Sequence, residues 1–135
     1  MLLCSLSAAL CALAVPFRVH VAPLQGYTDQ HLRALLRPLF PSATLWTEME
    51  KAEDLLANGA ERLRHPGERG PLVLQLGGSD PSMLARAVRT AGIWDEFNLN
   101  AGCPSIETGG ASYGASLMRG AVSMPNSTSH DAAPN

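Results

Sequence analysis

The stretch PLVLQLGGSDPSMLARAVRTAGIWDEFNLN, residues 71 to 100, decides how this chain is built. Residues 71 to 78 are a near-continuous apolar run, which predicts a strand covered on both faces rather than one with a wet side. The pattern over 79–92 is helical, with Ser79 or Asp80 as cap and Pro81 suited to the first turn. EFNLN (96 to 100) then reads as a second strand. Strand, helix and strand in that succession make a βαβ unit, whose two strands run parallel through a right-handed crossover.

The same alternation continues toward the N-terminus. RVHVAP (18 to 23) is a β-branched run closed by proline and predicts a strand. TDQHLRALLRPLF (28 to 40) predicts a helix capped by Thr28 or Asp29, with Leu32, Leu35, Leu36 and Leu39 at helical spacing and Pro38 and Pro41 expected to end it. ATLWTEM (43 to 49) is a strand, EKAEDLLANG (50 to 59) a helix closed by Asn58 and Gly59, and HPGERGP (65 to 71) a loop. Strand starts near 19, 43, 72 and 96 recur at roughly 25 residues. That period fits a doubly wound α/β sheet or part of a (β/α)8 TIM barrel. A whole barrel takes about 250 residues, so four β/α units amount to half of one.

Composition sets the class. With 135 residues, 46% apolar and 16% charged, the chain has the make-up of a globular domain, and a net charge of -2 offers nucleic acid or membrane no bulk attraction. Nine Arg stand against the single Lys51; they are scattered, and are read as solvated helix faces. Cys4, Cys11 and Cys103 form no C-x-x-C, and His20, His31, His65 and His130 match no ligand spacing, so neither a disulfide framework nor a metal site is expected. Residues 1–17 are an apolar N-terminal extension: the run 2–15 has signal-peptide length and an A-x-A pattern at Ala12 and Ala14, but no Lys or Arg before Arg18. A cytoplasmic or organellar location is therefore expected over a secreted one. Residues 121–135 read as a disordered polar tail.

In parallel α/β folds the chemistry gathers where the strands end, because the βα loops converge there. Those positions hold Ala22-Pro23-Leu24-Gln25-Gly26, then Thr47-Glu48-Met49, then Gln75-Leu76-Gly77-Gly78, then Asn98-Leu99-Asn100 with Cys103 just beyond. Each has an ordinary reading beside a functional one. Pro23 and Gly26 can simply shape a turn. Glu48 is read as a charge favouring a helix N-terminus ahead of a catalytic carboxylate. Gly77-Gly78 can admit a ligand or make the βα turn, and is no G-x-G-x-x-G fingerprint. Gln75 between Leu74 and Leu76 needs a partner, whether neighbouring backbone or the polar edge of a planar ring. Cys103 by itself is as ordinary as any small apolar residue, but Gly102 before it permits close approach and Pro104 after it fixes the turn. Asn98 and Asn100, two apart on one strand, share a face.

In order and spacing, VAPLQGYTDQHLRALLR, WTEM, LVLQLGGSDP and FNLNAGCPS resemble the amino-terminal half of the flavin-dependent tRNA-dihydrouridine synthases, closest to the A-type subfamily. SYGASLM (112 to 118) is similar to the segment after the catalytic loop, with Ser116 where that subfamily commonly has a second cysteine. The resemblance covers residues 18 to about 119 and implies a partial FMN-binding TIM barrel over 18–120. It also implies tRNA as the substrate, NADPH as the reductant of the flavin, hydride transfer to C6 of a uridine, and protonation of C5 by a cysteine. Residue by residue, Cys103 corresponds to that general acid, Asn100 to a uracil contact, Ala22, Pro23 and Leu24 to positions along the flavin ring, and Gln75 to a hydrogen bond with its polar edge. A thiol of ordinary pKa, near ~8.5, can donate a proton at neutral pH without a thiolate-stabilising partner. The lysine, histidine and glycine-rich phosphate loops that complete the family's flavin site belong to later strands. A chain holding only these four units is therefore expected to bind FMN weakly or not at all, to lack turnover, and to self-associate through open barrel edges. The alternatives are a partner-binding half-barrel without catalysis and another FMN barrel such as a dihydroorotate dehydrogenase.

Overall fold

The run LVLQLG becomes β3, Leu72–Gly77, and all six of its residues are buried. The computed structural model describes residues 18–103 together with 114, 115 and 117. Around β3 the elements follow the expected alternation: β1 (His20–Val21), α1 (Gln30–Leu39), β2 (Thr44–Lys51), α2 (Ala52–Asn58), a 3-10 turn (Glu61–Leu63), β3, α3 (Pro81–Thr90) and β4 (Glu96–Leu99). The sheet order is β1-β2-β3-β4, and every neighbouring pair is parallel.

That order decides between the two architectures left open. Each crossover steps to the next strand in the same direction, and a right-handed crossover then puts every helix on one face. A doubly wound sheet reverses direction to cover both faces. Four strands advancing without reversal are a partial TIM barrel, with helices outside and the other face turned inward.

Side chains alternate accordingly. Leu45 of β2 and Leu72, Leu74 and Leu76 of β3 join Ala52 and Leu55 of α2 and Ala87 of α3 in the core between sheet and helices. Val21 and Phe97 pack against it from β1 and β4. The register pairs Trp46 with Val73, Met49 with Gln75 and Gln75 with Asn98, so these residues line the inward face. On the outer side of β4, Leu76, Leu84, Val88, Phe97 and Leu99 line an open cleft of about 170 Å³.

Asp29 and Asp80 cap α1 and α3: Asp29 accepts from His31 and Leu32 N–H, and Asp80 from Ser82 and Met83 N–H. Ser79 therefore precedes the cap. The caps leave each carboxyl below its ordinary value, Asp29 chiefly through the Leu32 N–H and Asp80 chiefly through the Ser82 hydroxyl.

Three expectations change in detail. Pro38 does not end α1 but lies inside its last turn. Its missing N–H removes one bond there, while Phe40 N–H still closes on Leu36 O at 2.9 Å, and Pro41 follows the end. Strand β1 is only two residues long, because Ala22 and Pro23 already leave the ladder. Strand β2 runs two residues past its expected end, to Lys51, at the expense of α2.

The arginines are the larger correction. Arg33 is 1% exposed, not on a solvated face. Its guanidinium meets Glu68 through Nε–Oε1 at 3.0 Å and Nη2–Oε2 at 3.3 Å, and donates to Thr28 O at 2.8 Å and to Leu63 O. One turn on, Arg37 donates to the carbonyls of Pro41, Ala43 and Pro71. Successive turns of α1 thus tie the loop before β3 to the helix. The rigid fork of arginine suits several fixed acceptors at once.

Candidate active site

The strand ends that the sequence singled out converge on the inward rim of the sheet. Past β1 the chain turns at once: Tyr27 and Thr28 N–H both bond Leu24 O at 3.0 Å, and Gly26 has φ +79, which glycine adopts at little steric cost. The Thr28 hydroxyl, fully buried, accepts from Leu24 N–H at 3.0 Å and donates back to Leu24 O at 3.2 Å. Arg33 holds the Thr28 carbonyl, so the turn is fixed from beneath by the Arg33–Glu68 pair. Ala22 and Leu24 stand exposed at this rim, with Pro23 half-buried between them.

Strand β2 is irregular where it matters. The register shifts between Trp46 and Met49, so Thr47 and Glu48 together oppose one residue of β3. Such a bulge breaks the local ladder. The Gln75 N–H bonds the Thr47 hydroxyl at 3.1 Å, and that hydroxyl donates to Glu48 O at 2.6 Å. Thr47 is 2% exposed; the sequence places it at a strand end, but a threonine in a strand does not announce which backbone group its hydroxyl will bond.

Glu48 is not a helix N-terminal charge, because it lies in the bulge and α2 begins four residues later at Ala52. Its Oε1 is buried and has no hydrogen-bond partner among the described residues. Two residues on, burial raises the Glu50 carboxyl above its ordinary value, against the pull of Arg62, with which it pairs.

At the end of β3 the sequence posed Gln75 as a buried amide needing a partner, and it has two. Its Nε2 donates to Asn98 Oδ1 at 3.1 Å, and its Oε1 accepts from Asn100 Nδ2 at 3.2 Å. Asn100 Oδ1 then accepts from Gly102 N–H at 3.1 Å and from Cys103 N–H at 2.9 Å. The Asn100 backbone N–H extends the ladder to Leu76 O at 2.8 Å. Cys103, a free and half-buried thiol, is thereby tied through Asn100 to β3.

Gly77 and Gly78 are not required by left-handed turn geometry, and both lie close against neighbouring side chains. Neither has positive φ, and a Cβ on Gly77 would lie 2.9 Å from Met49 Sδ while one on Gly78 would lie 3.0 Å from Leu84 Cδ2. Gly114 is a residue that the sequence reading missed. It has φ +58, a Cβ there would fall 2.3 Å from Cys103 O, and Ala115 N–H bonds that same carbonyl at 3.0 Å. The signal available was the glycine itself, since only glycine lets backbone approach backbone this closely. Ser116, residues 1–17 and the tail 121–135 lie outside the described residues.

Among the described residues, no group of three His, Cys, Asp or Glu could hold a metal ion, and no helix is long and apolar enough to cross a membrane.

The sequence profile of the dihydrouridine synthase (Dus) family matches residues 20–126. The tRNA-dihydrouridine(20/20a) synthase of Xanthomonas campestris is 46% identical over 111 residues, 80% of this chain and 33% of the relative. The protein of that name from Xylella fastidiosa is 46% identical over 106 residues, covering 76% of this chain and 31% of its own length. The one from Escherichia coli is 39% identical over 104 residues, with 76% and 31% covered. The chain spans about a third of the length of these curated relatives.

Proposed function

This chain belongs to the dihydrouridine synthase family, and from that premise we propose that it supplies the uridine-facing part of a tRNA-dihydrouridine synthase active site, with FMN as cofactor, NADPH as reductant and tRNA as substrate. The observation that carries this reading is the run of hydrogen bonds from Gln75 through Asn100 to the Cys103 backbone. It gathers an amide edge, a carboxamide and a thiol at the carboxyl ends of two adjacent parallel strands, where barrel enzymes work.

The residues present fit one side of a flavin ring. Ala22, Pro23 and Leu24 form an apolar rim beyond β1. Among the described residues, the Gln75 amide retains one N–H and one carbonyl lone pair after its bonds to Asn98 and Asn100, open to a polar ring edge. A bound flavin, with NADPH as its reductant, would supply the hydride for C6 of the uracil ring. Asn100 offers its second amide hydrogen to a uracil carbonyl. Cys103 gives the thiol proton to C5, so one hydride and one proton saturate the C5–C6 bond, and water reprotonates the sulfur.

Grafting residues 18–119 in place of the matching segment of the Xanthomonas campestris relative tests the assignment. The graft is expected to form dihydrouridine in tRNA. In the graft, Cys103→Ala is expected to abolish uridine reduction while NADPH still bleaches the flavin. If dihydrouridine still forms in that variant, Cys103 is not the general acid; if a graft with Cys103 intact holds reducible flavin yet makes no dihydrouridine, the substrate assignment fails.

A second reading rests on the sheet edges: among the described residues β1 and β4 each pair on one side only. Unpaired edges favour association with another half-barrel. A chain that stays monomeric in sedimentation equilibrium as its concentration is raised would count against it.

A further inference from the structure

Asn98 takes no part in the reaction just described, yet it occupies the far end of the hydrogen-bond chain that holds Cys103. The direction of that chain is fixed by chemistry alone. The N–H groups of Gly102 and Cys103 can only donate, so the Asn100 side chain must turn its oxygen to them. Its Nδ2 is then left facing β3, and Gln75 must meet it with an oxygen. Gln75 in turn points its Nε2 away from Asn100, and whatever stands there has to accept; that atom is Asn98 Oδ1, at 3.1 Å. No amide in the series can flip without setting donor against donor or oxygen against oxygen.

Burial makes this arrangement matter. Gln75 is 7% exposed, so water has little access to replace a lost partner, and an unpaired amide there is costly. Its backbone is held independently by the Thr47 hydroxyl, so the side chain is the part that Asn98 controls.

We propose that Asn98 is a positioning residue: by accepting from Gln75 it fixes the orientation of the Gln75 amide, which aligns Asn100, which holds the backbone of Cys103. The inference rests on the proposed role of Cys103 for its functional meaning, but the hydrogen-bond relay stands on geometry alone. What position 98 must provide is an acceptor oxygen. The Asn98 Nδ2 group has no acceptor among the described residues and is not needed for the relay.

The test uses this chain and needs no flavin. Amide hydrogen exchange at Gly102 and Cys103 reads the bonds to Asn100, with Leu74 and Leu76 as controls for the sheet. Peptide-resolved alkylation by iodoacetamide reads the Cys103 thiol apart from Cys4 and Cys11. In Asn98→Leu, which lacks the acceptor, protection at Cys103 is expected to fall about tenfold or more and Cys103 alkylation to quicken severalfold, with the controls unchanged. Asn98→Asp keeps the acceptor and is expected to stay within about twofold of the parent on both readouts. Gln75→Glu alone is expected to keep the relay's hydrogen bonds, because Asn98 can turn its Nδ2 toward the new carboxylate, whatever the burial of the charge costs in stability. Combined with Asn98→Asp it is not, because two carboxylates then face each other.

Unchanged exchange and alkylation in Asn98→Leu overturn the proposal, as does an Asn98→Asp variant that loses protection as fully as Asn98→Leu. If the controls show that Asn98→Leu has unfolded, the double substitution decides: additive effects of Gln75→Glu and Asn98→Asp refute the relay. Loss of dihydrouridine formation with protection intact bears on the proposed role of Cys103 and not on Asn98.

Discussion

Removing either partner of the Arg33–Glu68 pair strands a charge in the interior. The side chains are 2% and 1% exposed, and Arg33 makes four hydrogen bonds: two to the carboxylate and two to the carbonyls of Thr28 and Leu63. Glu68→Leu leaves the guanidinium with two carbonyl acceptors and no countercharge. Arg33→Met leaves the carboxylate with the His65 N–H at 3.2 Å as its remaining donor among the described residues. Breaking a buried pair in this way costs about 3–5 kcal/mol, against a total stability on the order of 5–15 kcal/mol. Replacing both partners removes both stranded charges, so the double variant should cost less than the sum of the singles by several kcal/mol. With a urea slope of roughly 2 kcal/mol per molar, each single substitution lowers the midpoint by roughly 1.5–2.5 M, read by circular dichroism. Single effects below about 1 kcal/mol, or additivity within about 0.5 kcal/mol, would falsify the claim that this pair fixes the turn after β1.

Two further outcomes follow from the caps and the bulge. Thr47→Val keeps the shape of the side chain but leaves the Gln75 N–H without its acceptor, so urea unfolding should show a loss of about 1–3 kcal/mol, with faster exchange at that amide; an unchanged midpoint refutes the role given to the hydroxyl. Asp29 and Asp80 have carboxyls held below the ordinary value of 3.8, so they contribute stability that is present above that pH and is lost as pH falls through their folded-state values. Asp29→Asn and Asp80→Asn keep a capping acceptor but do not titrate, so stability measured below pH 3.8 should fall less steeply than in the parent. An equally steep acid limb in both variants would show that neither cap carries it.

Much of the fold was legible because its signals are local. The continuous apolar run of β3 marked a doubly covered strand, and Asp29 and Asp80 stood where N-caps stand. The strand-end residues were legible too, since strand polarity fixes which end bears the βα loop. The misreadings came where a distant partner overrides a local rule. Arg33 looked like any helix-surface arginine, and its acceptors lie 30 and 35 residues on, in a loop that no periodicity announces. Pro38 looked like a helix terminator, yet in the last turn it forfeits only one bond.

Local sequence patterns were enough for the alternation of strand and helix, the parallel pairing that helical crossovers impose, and the placing of Gln75, Asn98, Asn100 and Cys103 at strand ends. Periodicity alone left a doubly wound sheet and a barrel both open; the family resemblance implied the barrel, and the strand order gave the physical ground for it, because the direction of each crossover is set by which strand pairs with which. The tertiary structure also decided how those four residues bond. Gln75 meets Asn98 and Asn100 across gaps of 23 and 25 residues, and the polarity of their amides is fixed only where two backbone N–H groups at the end of the series leave a single orientation.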